Sequence, residues 1–126
     1  MKWKTQLETV DPYAAVTTSP TVVDGVVYEG VTSLQEFAAA NPTFHCCTSR
    51  GSVVAVDAFY GTIKWKTYTI PTGYSGGGVW GSSPVVDTFL HLVFMGTGNN
   101  LSPPTDPAYL ACVGGGKNPS SVPIAG

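Results

Sequence analysis

The chain has 126 residues, enough for one domain with a modest core. Charged residues make up only 11%, while there are 15 Gly and 10 Pro, a profile of short strands and many turns rather than of a helical bundle. A net charge of −2 lacks the basic footprint of a nucleic-acid binder, and no apolar run approaches the roughly 18 residues of a membrane span.

Met1 to Pro12 carry two lysines with no apolar stretch behind them, so no signal peptide is read there. Trp3 to Leu7 alternates in polarity and predicts a strand. Thr9 to Ala15 is a connector. Val16 to Val23 predicts a second strand, Asp24-Gly25 a two-residue hairpin turn, and Val26 to Val31 a third strand. Thr32 to Thr48 is the least strand-like segment. Within it, Ser33 to Ala40 suits one or two helical turns, with Ser33 as N-cap and Glu36 completing a capping box. Asn41-Pro42 ends the turn, and His45, Cys46 and Cys47 follow.

Ser52 to Asp57 predicts a compact strand, and Tyr60-Gly61 turns it into Thr62 to Ile70. A glycine-rich loop, Gly73 to Gly78, leads to Trp80. Ser83 to Thr88 and Leu92 to Gly96 predict a further hairpin. Ser102 to Gly126 is rich in Pro, Gly, Ser and Ala, without periodicity. The expected organisation is therefore a β region over residues 1–100 and an irregular tail over 101–126.

The β region repeats itself. Trp3-Lys4-Thr5 returns as Trp65-Lys66-Thr67, Ser19-Pro20-Thr21-Val22-Val23-Asp24 as Ser83-Pro84-Val85-Val86-Asp87, and Gly25 to Gly30 as His91 to Gly96. Three anchors in one order, at a period of about 64 residues, identify an array. Each unit holds four short strands joined by tight turns, which is a propeller blade. The chain has room for a last strand, one whole blade and two strands of the next. Arrays need about three units to bury a continuous core, so the expectation is a piece of a larger propeller. Such a piece would leave sheet faces and strand edges uncovered.

Val54 to Trp65, VAVDAFYGTIKW, resembles the repeat of pyrrolo-quinoline quinone (PQQ) dehydrogenases: a strand ending in Asp-Ala, a Gly turn, and a Trp that docks between blades. The longer run from Cys46 to Asp87, with Thr97-Gly98-Asn99-Asn100 following, is similar to the polyvinyl-alcohol-dehydrogenase-like branch. The resemblance covers about Trp3 to Asn100. It implies an all-β fold, about one and a half four-stranded blades of an eight-bladed β-propeller, with PQQ on the axis and calcium beside it. Trp80, after Gly76-Gly77-Gly78, matches the Trp on which the quinone stacks. Thr32, Ser33 and Gly78 fall among the implied cofactor contacts, and Asn99 matches a metal-binding Asn. The family's carboxylate ligand falls on Gln35, with Glu36 next to it. The family's vicinal disulfide over the quinone suggests that role for Cys46-Cys47, although here the pair follows the Gly25–Gly30 hairpin rather than preceding it. Arg50 lies in the matched stretch, and a PQQ carboxylate suits its guanidinium. The family's catalytic aspartate and a second arginine lie on later blades, so no catalytic residue is assigned to this chain.

Each of these residues also has a plainer role. Trp80 suits a core position, Trp3 and Trp65 inter-blade packing, and Asp57 and Asp87 capping of turns. Asn99 and Asn100 are ordinary turn residues, although amide oxygens suit calcium. Glu36 suits a solvent-facing turn. Cys46 and Cys47 have three states open: a vicinal ring, free thiols, or pairing of one with Cys112. Arg50 suits a carboxylate ligand or a structural contact.

Two functions are in view. The first is a segment of an alcohol dehydrogenase that uses PQQ and calcium, oxidises a small alcohol and passes electrons to an acceptor. The isolated chain would then be inactive. The second is a non-catalytic propeller scaffold that presents a binding face. Members of the resembled family are typically secreted or periplasmic; the sequence leaves the compartment open.

Overall fold

The computed structural model describes residues 1–101. The predicted tail, apart from Leu101, lies outside the described residues, as does Cys112. Seven strands and one short helix follow in order: β1 (Ala14–Ala15), β2 (Thr21–Val23), β3 (Val26–Ser33), α1 (Gln35–Ala38), β4 (Ser52–Asp57), β5 (Ile63–Tyr68), β6 (Val85–Asp87) and β7 (Leu92–Phe94). No helix among the described residues is long and apolar enough to cross a membrane.

The long strand β3 is the spine of the blade. Its start pairs with β2, from Thr21↔Tyr28 to Val23↔Val26, and its end pairs with β1 at Ala14↔Ser33 and Ala15↔Thr32. On its other edge β3 pairs with β4 from Val26↔Asp57 to Val31↔Ser52, and β4 pairs with β5. All these pairs are antiparallel, so β1 and β2 share the first of four ladder positions. The hairpin β6–β7 forms a separate two-stranded sheet whose β6 lies beside β2. The described residues are thus nearly all-β, with one blade and the opening hairpin of the next.

Turn chemistry accounts for the tight connections. Asp24 (φ 49°) and Gly25 (φ 74°) form the hairpin loop, and both occupy the left-handed region that such a two-residue turn requires. Asp57 Oδ1 accepts hydrogen bonds from the Phe59 and Tyr60 amides, and Asp87 Oδ1 accepts from those of Phe89 and Leu90. The Tyr60 amide is the main influence holding the Asp57 carboxyl below its ordinary value. Both aspartates therefore have the capping role that their position suggested.

The core is thin. Val31, Val54 and Val56 form a buried cluster, with Trp3, Leu7, Ala14 and Val27 packed against it. Val79 fills the opposite side, against Gly30, where a Cβ on the glycine would overlap the valine side chain. Large apolar side chains remain exposed beyond this core, including Phe37, Phe59, Ile63, Val85, Phe89 and Phe94.

Three sequence expectations change. Trp3 to Leu7 is not a paired strand, because no ladder partner for it lies among the described residues. It is held by side chains instead: Trp3 Nε1 donates to the Ala58 carbonyl (3.1 Å), the Thr5 hydroxyl donates to the Gly61 carbonyl, and Lys66 Nζ donates to the Leu7 carbonyl (3.0 Å) and pairs with Glu8 (2.5 Å). Val16 to Val23 is broken, since Pro20 has no amide to give a ladder. The Thr17 and Thr18 hydroxyls turn away to the Trp80 carbonyl and to Glu29. The capping box does not form: Ser33 is the last residue of β3, its hydroxyl accepts from the Gln35 amide (3.2 Å), and no side chain caps α1.

Two predictions follow from this packing. Gly61 has φ +73°, and a Cβ there would lie 2.5 Å from the Trp3 ring. Gly61→Ala is therefore expected to cost about 2 kcal/mol or more of stability, read by denaturant unfolding; an unchanged midpoint would refute the Trp3–Gly61 contact. Glu29 is 6% exposed, and burial pushes its carboxyl up, against the opposing hydrogen bond from the Gly30 amide. A folded-state pKa above the ordinary 4.5 makes stability fall as pH rises through that window. Glu29→Gln, whose amide oxygen still accepts from Thr18 and Gly30, is expected to gain on the native chain at pH 7 and to lose that advantage in acid. A pH-independent difference would contradict it.

Candidate functional site

The site is built where three backbone segments run side by side. The Gly76 amide donates to the Ser49 carbonyl (2.8 Å) and the Gly76 carbonyl accepts from the Gly51 amide (2.8 Å), which aligns the glycine run with the start of β4. On its other flank the Gly77 amide donates to the Asn99 carbonyl (2.7 Å), the Gly78 carbonyl accepts from the Gly98 amide (2.7 Å), and the Ser75 carbonyl accepts from the Leu101 amide (2.7 Å). The blade and the next hairpin are thereby joined at the end of β3 and the start of β4. The turns Asp24–Gly25 and Asp57–Gly61 lie at the opposite end, because antiparallel neighbours place the end of one strand beside the start of the next.

Glycine is required here by backbone contact. A Cβ on Gly76, which has φ +109°, would lie 2.6 Å from the Leu101 nitrogen, and one on Gly51 would strike the Gly77 carbonyl. The glycines thus admit neighbouring backbone; of the run itself, only Gly76 and Gly78 face a cleft.

That cleft is lined by Thr32, Ser33, Glu36, Ser49, Gly51, Gly76, Gly78, Trp80, Asn99 and Leu101. Six residues singled out in the sequence therefore meet: Thr32, Ser33, Glu36, Gly78, Trp80 and Asn99. Thr32, next to the last residue of β3, is 2% exposed, and its hydroxyl is buried with no hydrogen-bond partner. A Cβ on Gly78 would overlap that hydroxyl and lie 3.3 Å from Trp80 Nε1. Trp80 is half-buried in the loop before β6. Its carbonyl is held by Thr17, and the Phe37 ring meets its own at 81° and 6.1 Å between centroids. Glu36 and Asn99 are both exposed to the cleft. The enclosed volume is about 10 Å³, room for about one water molecule, so these residues form a wall rather than a closed pocket.

The other proposed site residues lie elsewhere. Gln35 is 4% exposed and turned inward. Its Nε2 donates to Asp11 Oδ1 (3.1 Å) and the Thr48 hydroxyl (3.2 Å), and its Oε1 accepts from the amides of Thr48 (2.8 Å) and Ser49 (3.3 Å). No lone pair of that amide is left for a metal. Arg50 is drawn to the end of β5: its guanidinium lies 4.0 Å above the centre of the Tyr68 ring, and Nη2 donates to the Ile70 carbonyl (2.6 Å). It lines a separate groove with Glu8, Asp11, Gln35, Thr48 and Tyr68. Cys46 and Cys47 are joined as a vicinal disulfide in the loop before β4, outside the cleft lining. Among the described residues, no three His, Cys, Asp or Glu side chains gather as metal ligands. Any cation at the cleft would therefore depend on amide, hydroxyl and carbonyl oxygens beside Glu36.

Ser49 and Gly51 are wall residues that the sequence did not single out. Their signal is local: a Ser-Arg-Gly-Ser run at the start of the most apolar strand, facing a glycine run further along the chain.

No family model matches the chain. It is 34% identical over 115 residues to a polyvinylalcohol dehydrogenase from a Pseudomonas species, covering 79% of this chain and 18% of that protein. It is 36% identical over 115 residues to the polyvinylalcohol dehydrogenase of a Sphingopyxis species, covering 79% of this chain and 17% of that protein. The chain thus spans less than a fifth of the length of these curated relatives. Its fold is similar to that of a quinohemoprotein alcohol dehydrogenase from Pseudomonas putida, with a TM-score of 0.56 and 27% identity over 74% of this chain and 16% of that one. Sequence repeat, blade topology and these likenesses together make the chain a segment of a PQQ-dehydrogenase-like β-propeller of the polyvinyl-alcohol-dehydrogenase-like branch.

Proposed function

We infer that this segment supplies one wall of a PQQ-binding site in an alcohol dehydrogenase, and that the cleft between the two blades is that wall. The observation that carries the reading is the meeting of Trp80, Asn99, Glu36 and the unpartnered, buried Thr32 hydroxyl at one end of the blade pair.

The chemistry of the wall fits the group. An indole offers a rigid flat surface for a quinone ring system. The Thr32 hydroxyl lacks a hydrogen-bond partner in a buried position, a cost that a ligand oxygen or nitrogen would remove. Glu36 supplies a carboxylate and Asn99 an amide oxygen, both hard donors suited to calcium. Calcium takes six to eight oxygens, so this segment would hold it only in company with other parts of the protein. When bound, PQQ is the acceptor of the alcohol's electrons, and the metal acts as a Lewis acid on the quinone oxygen.

In this reading the chain's own residues bind and orient. Trp80 fixes the plane of the ring, with Phe37 buttressing the indole. Thr32 and Ser33 set the ring's edge, Gly78 leaves room beside it, and Glu36 with Asn99 fixes the cation. Gln35 leaves the metal set because its amide is fully engaged, and Arg50 leaves the cleft because it lines a separate groove, on the Tyr68 ring and the Ile70 carbonyl. Cys46-Cys47 enters the site only if the rest of the protein brings the ring over it. No proton acceptor for the alcohol is assigned among the described residues. The substrate class is a small-molecule alcohol, and the electrons leave to a separate acceptor.

Trp80→Ala tests the stacking role. In the intact dehydrogenase, loaded with PQQ and calcium, the variant is expected to lose quinone absorbance on gel filtration, a drop in affinity of at least about a hundredfold. Its circular dichroism should be unchanged. Retention of PQQ by the variant would refute the reading.

A further inference from the structure

We propose that Gln35 is a positioning residue for the cleft: a buried amide clamp that fixes the Ser33–Glu36 turn against the Thr48–Ser49 backbone. The proposal rests on the reading of the cleft as a cofactor wall, and it assigns Gln35 a task that no metal or cofactor contact explains.

The clamp is saturated. Both hydrogens of Nε2 and both lone pairs of Oε1 are engaged, and they join three separate segments. The first is the connector, through Asp11, whose Oδ1 also accepts from the Tyr13 amide (2.9 Å). The second is α1 itself, whose approach is fixed by the Leu34 amide on the Tyr13 carbonyl (2.9 Å) and the Gln35 amide on the Ser33 hydroxyl (3.2 Å). The third is the Thr48–Ser49 stretch that leads into β4. Ser33 and Glu36 flank the clamp on one cleft wall, and Ser49 stands on the other. The four-residue α1 has no side-chain cap of its own, so local helix energetics do not hold Glu36 in place. The burial of Gln35 does.

Chemistry selects an amide at this position. A carboxylate at 35 would lose both donors and set a second negative charge against Asp11, on the Oδ1 now 3.1 Å from Nε2. A methionine would fill the volume and leave the Thr48 and Ser49 amides and the Asp11 oxygen without that partner. Second-layer hydrogen bonds of this kind orient the groups that touch a ligand, and their loss typically costs roughly tenfold to a hundredfold in affinity.

The test compares Gln35→Met, Gln35→Glu and Asp11→Asn with the native protein, each in the intact dehydrogenase of which this chain is a segment, by two readouts. The first is amide hydrogen exchange at Thr48 and Ser49, with the Val54–Val56 amides of β4 as an internal control of folding. The second is quenching of tryptophan fluorescence by added PQQ in excess calcium, with Trp80→Phe as the blank. Gln35→Met and Gln35→Glu are expected to speed exchange at residues 48 and 49 by at least about tenfold while β4 stays protected. Both should also raise the half-saturating quinone concentration about tenfold. Asp11→Asn, which keeps an oxygen acceptor, should stay near native in both. Unchanged exchange in Gln35→Met overturns the clamp. Faster exchange with an unchanged quinone response reduces Gln35 to a fold residue and overturns the positioning role. If the native intact protein shows no Trp80-dependent quenching, the reading of the cleft fails, while the exchange data still decide the clamp.

Discussion

The arrangement depends on one close approach of backbone to backbone. Gly51, Gly76 and Gly77 bring three chain segments within hydrogen-bonding distance, and the Thr69 hydroxyl donates to the Gly51 and Gly77 carbonyls beside them. Each of these segments carries part of the cleft or leads directly to it: Ser49 before β4, Trp80 after the glycine run, and Asn99 after β7. A single Cβ at Gly76 would meet main-chain atoms, which cannot swing aside as a side chain can. The cleft is therefore set by main-chain geometry, and its side chains are mounted on that frame.

Local chemistry was legible in the sequence and long-range choice was not. Asp24-Gly25 announced its turn because only a few residue types accept positive φ at both positions. Ser52 to Asp57 announced itself by an unbroken apolar run, and the repeat located the blade. Trp3 to Leu7 looked like a strand because its alternation suits one, but a ladder needs a partner that the pattern of a single segment cannot supply. Ser33 and Glu36 had the spacing of a capping box, yet tertiary contacts drew Ser33 into β3 and left Glu36 facing the cleft. Counting put the family's carboxylate position on Gln35, with Glu36 beside it. Burial separates them, since one side chain is enclosed by hydrogen-bond partners from Asp11 and Thr48–Ser49 and the other is exposed. Arg50 was a candidate for an anion because a guanidinium suits a carboxylate; its partners here, the Tyr68 ring and the Ile70 carbonyl, lie about twenty residues further along, beyond local reading.

The sparse charge of the chain is used at joints. Glu8 and Lys66 tie the N-terminal segment to β5, and Lys66 also meets the Leu7 carbonyl and the Tyr68 ring. The Glu8 carboxyl feels burial most, which raises its pKa, but the bonds from Lys66 and the Val10 and Thr9 amides together bring it below its ordinary value. Glu29 has no such cation, and its pKa shifts the other way. In this blade hydrogen bonds from amides and a lysine outweigh burial at Glu8, and at Asp57 the Tyr60 amide leads, whereas at Glu29 burial wins.

The Trp3–Gly61 joint has a consequence for how such a protein can grow. The socket, Asp57 to Gly61, and the next knob, Trp65, lie on the same β4–β5 hairpin, and Trp65 repeats the position of Trp3 with 40% of its surface open. Each unit therefore brings its own receptor and its own plug. Gene duplication of one unit would extend the series without inventing a new interface, and the old junctions would remain valid. Selection could then alter cleft residues on one unit while the joints that hold the ring of units together stayed fixed.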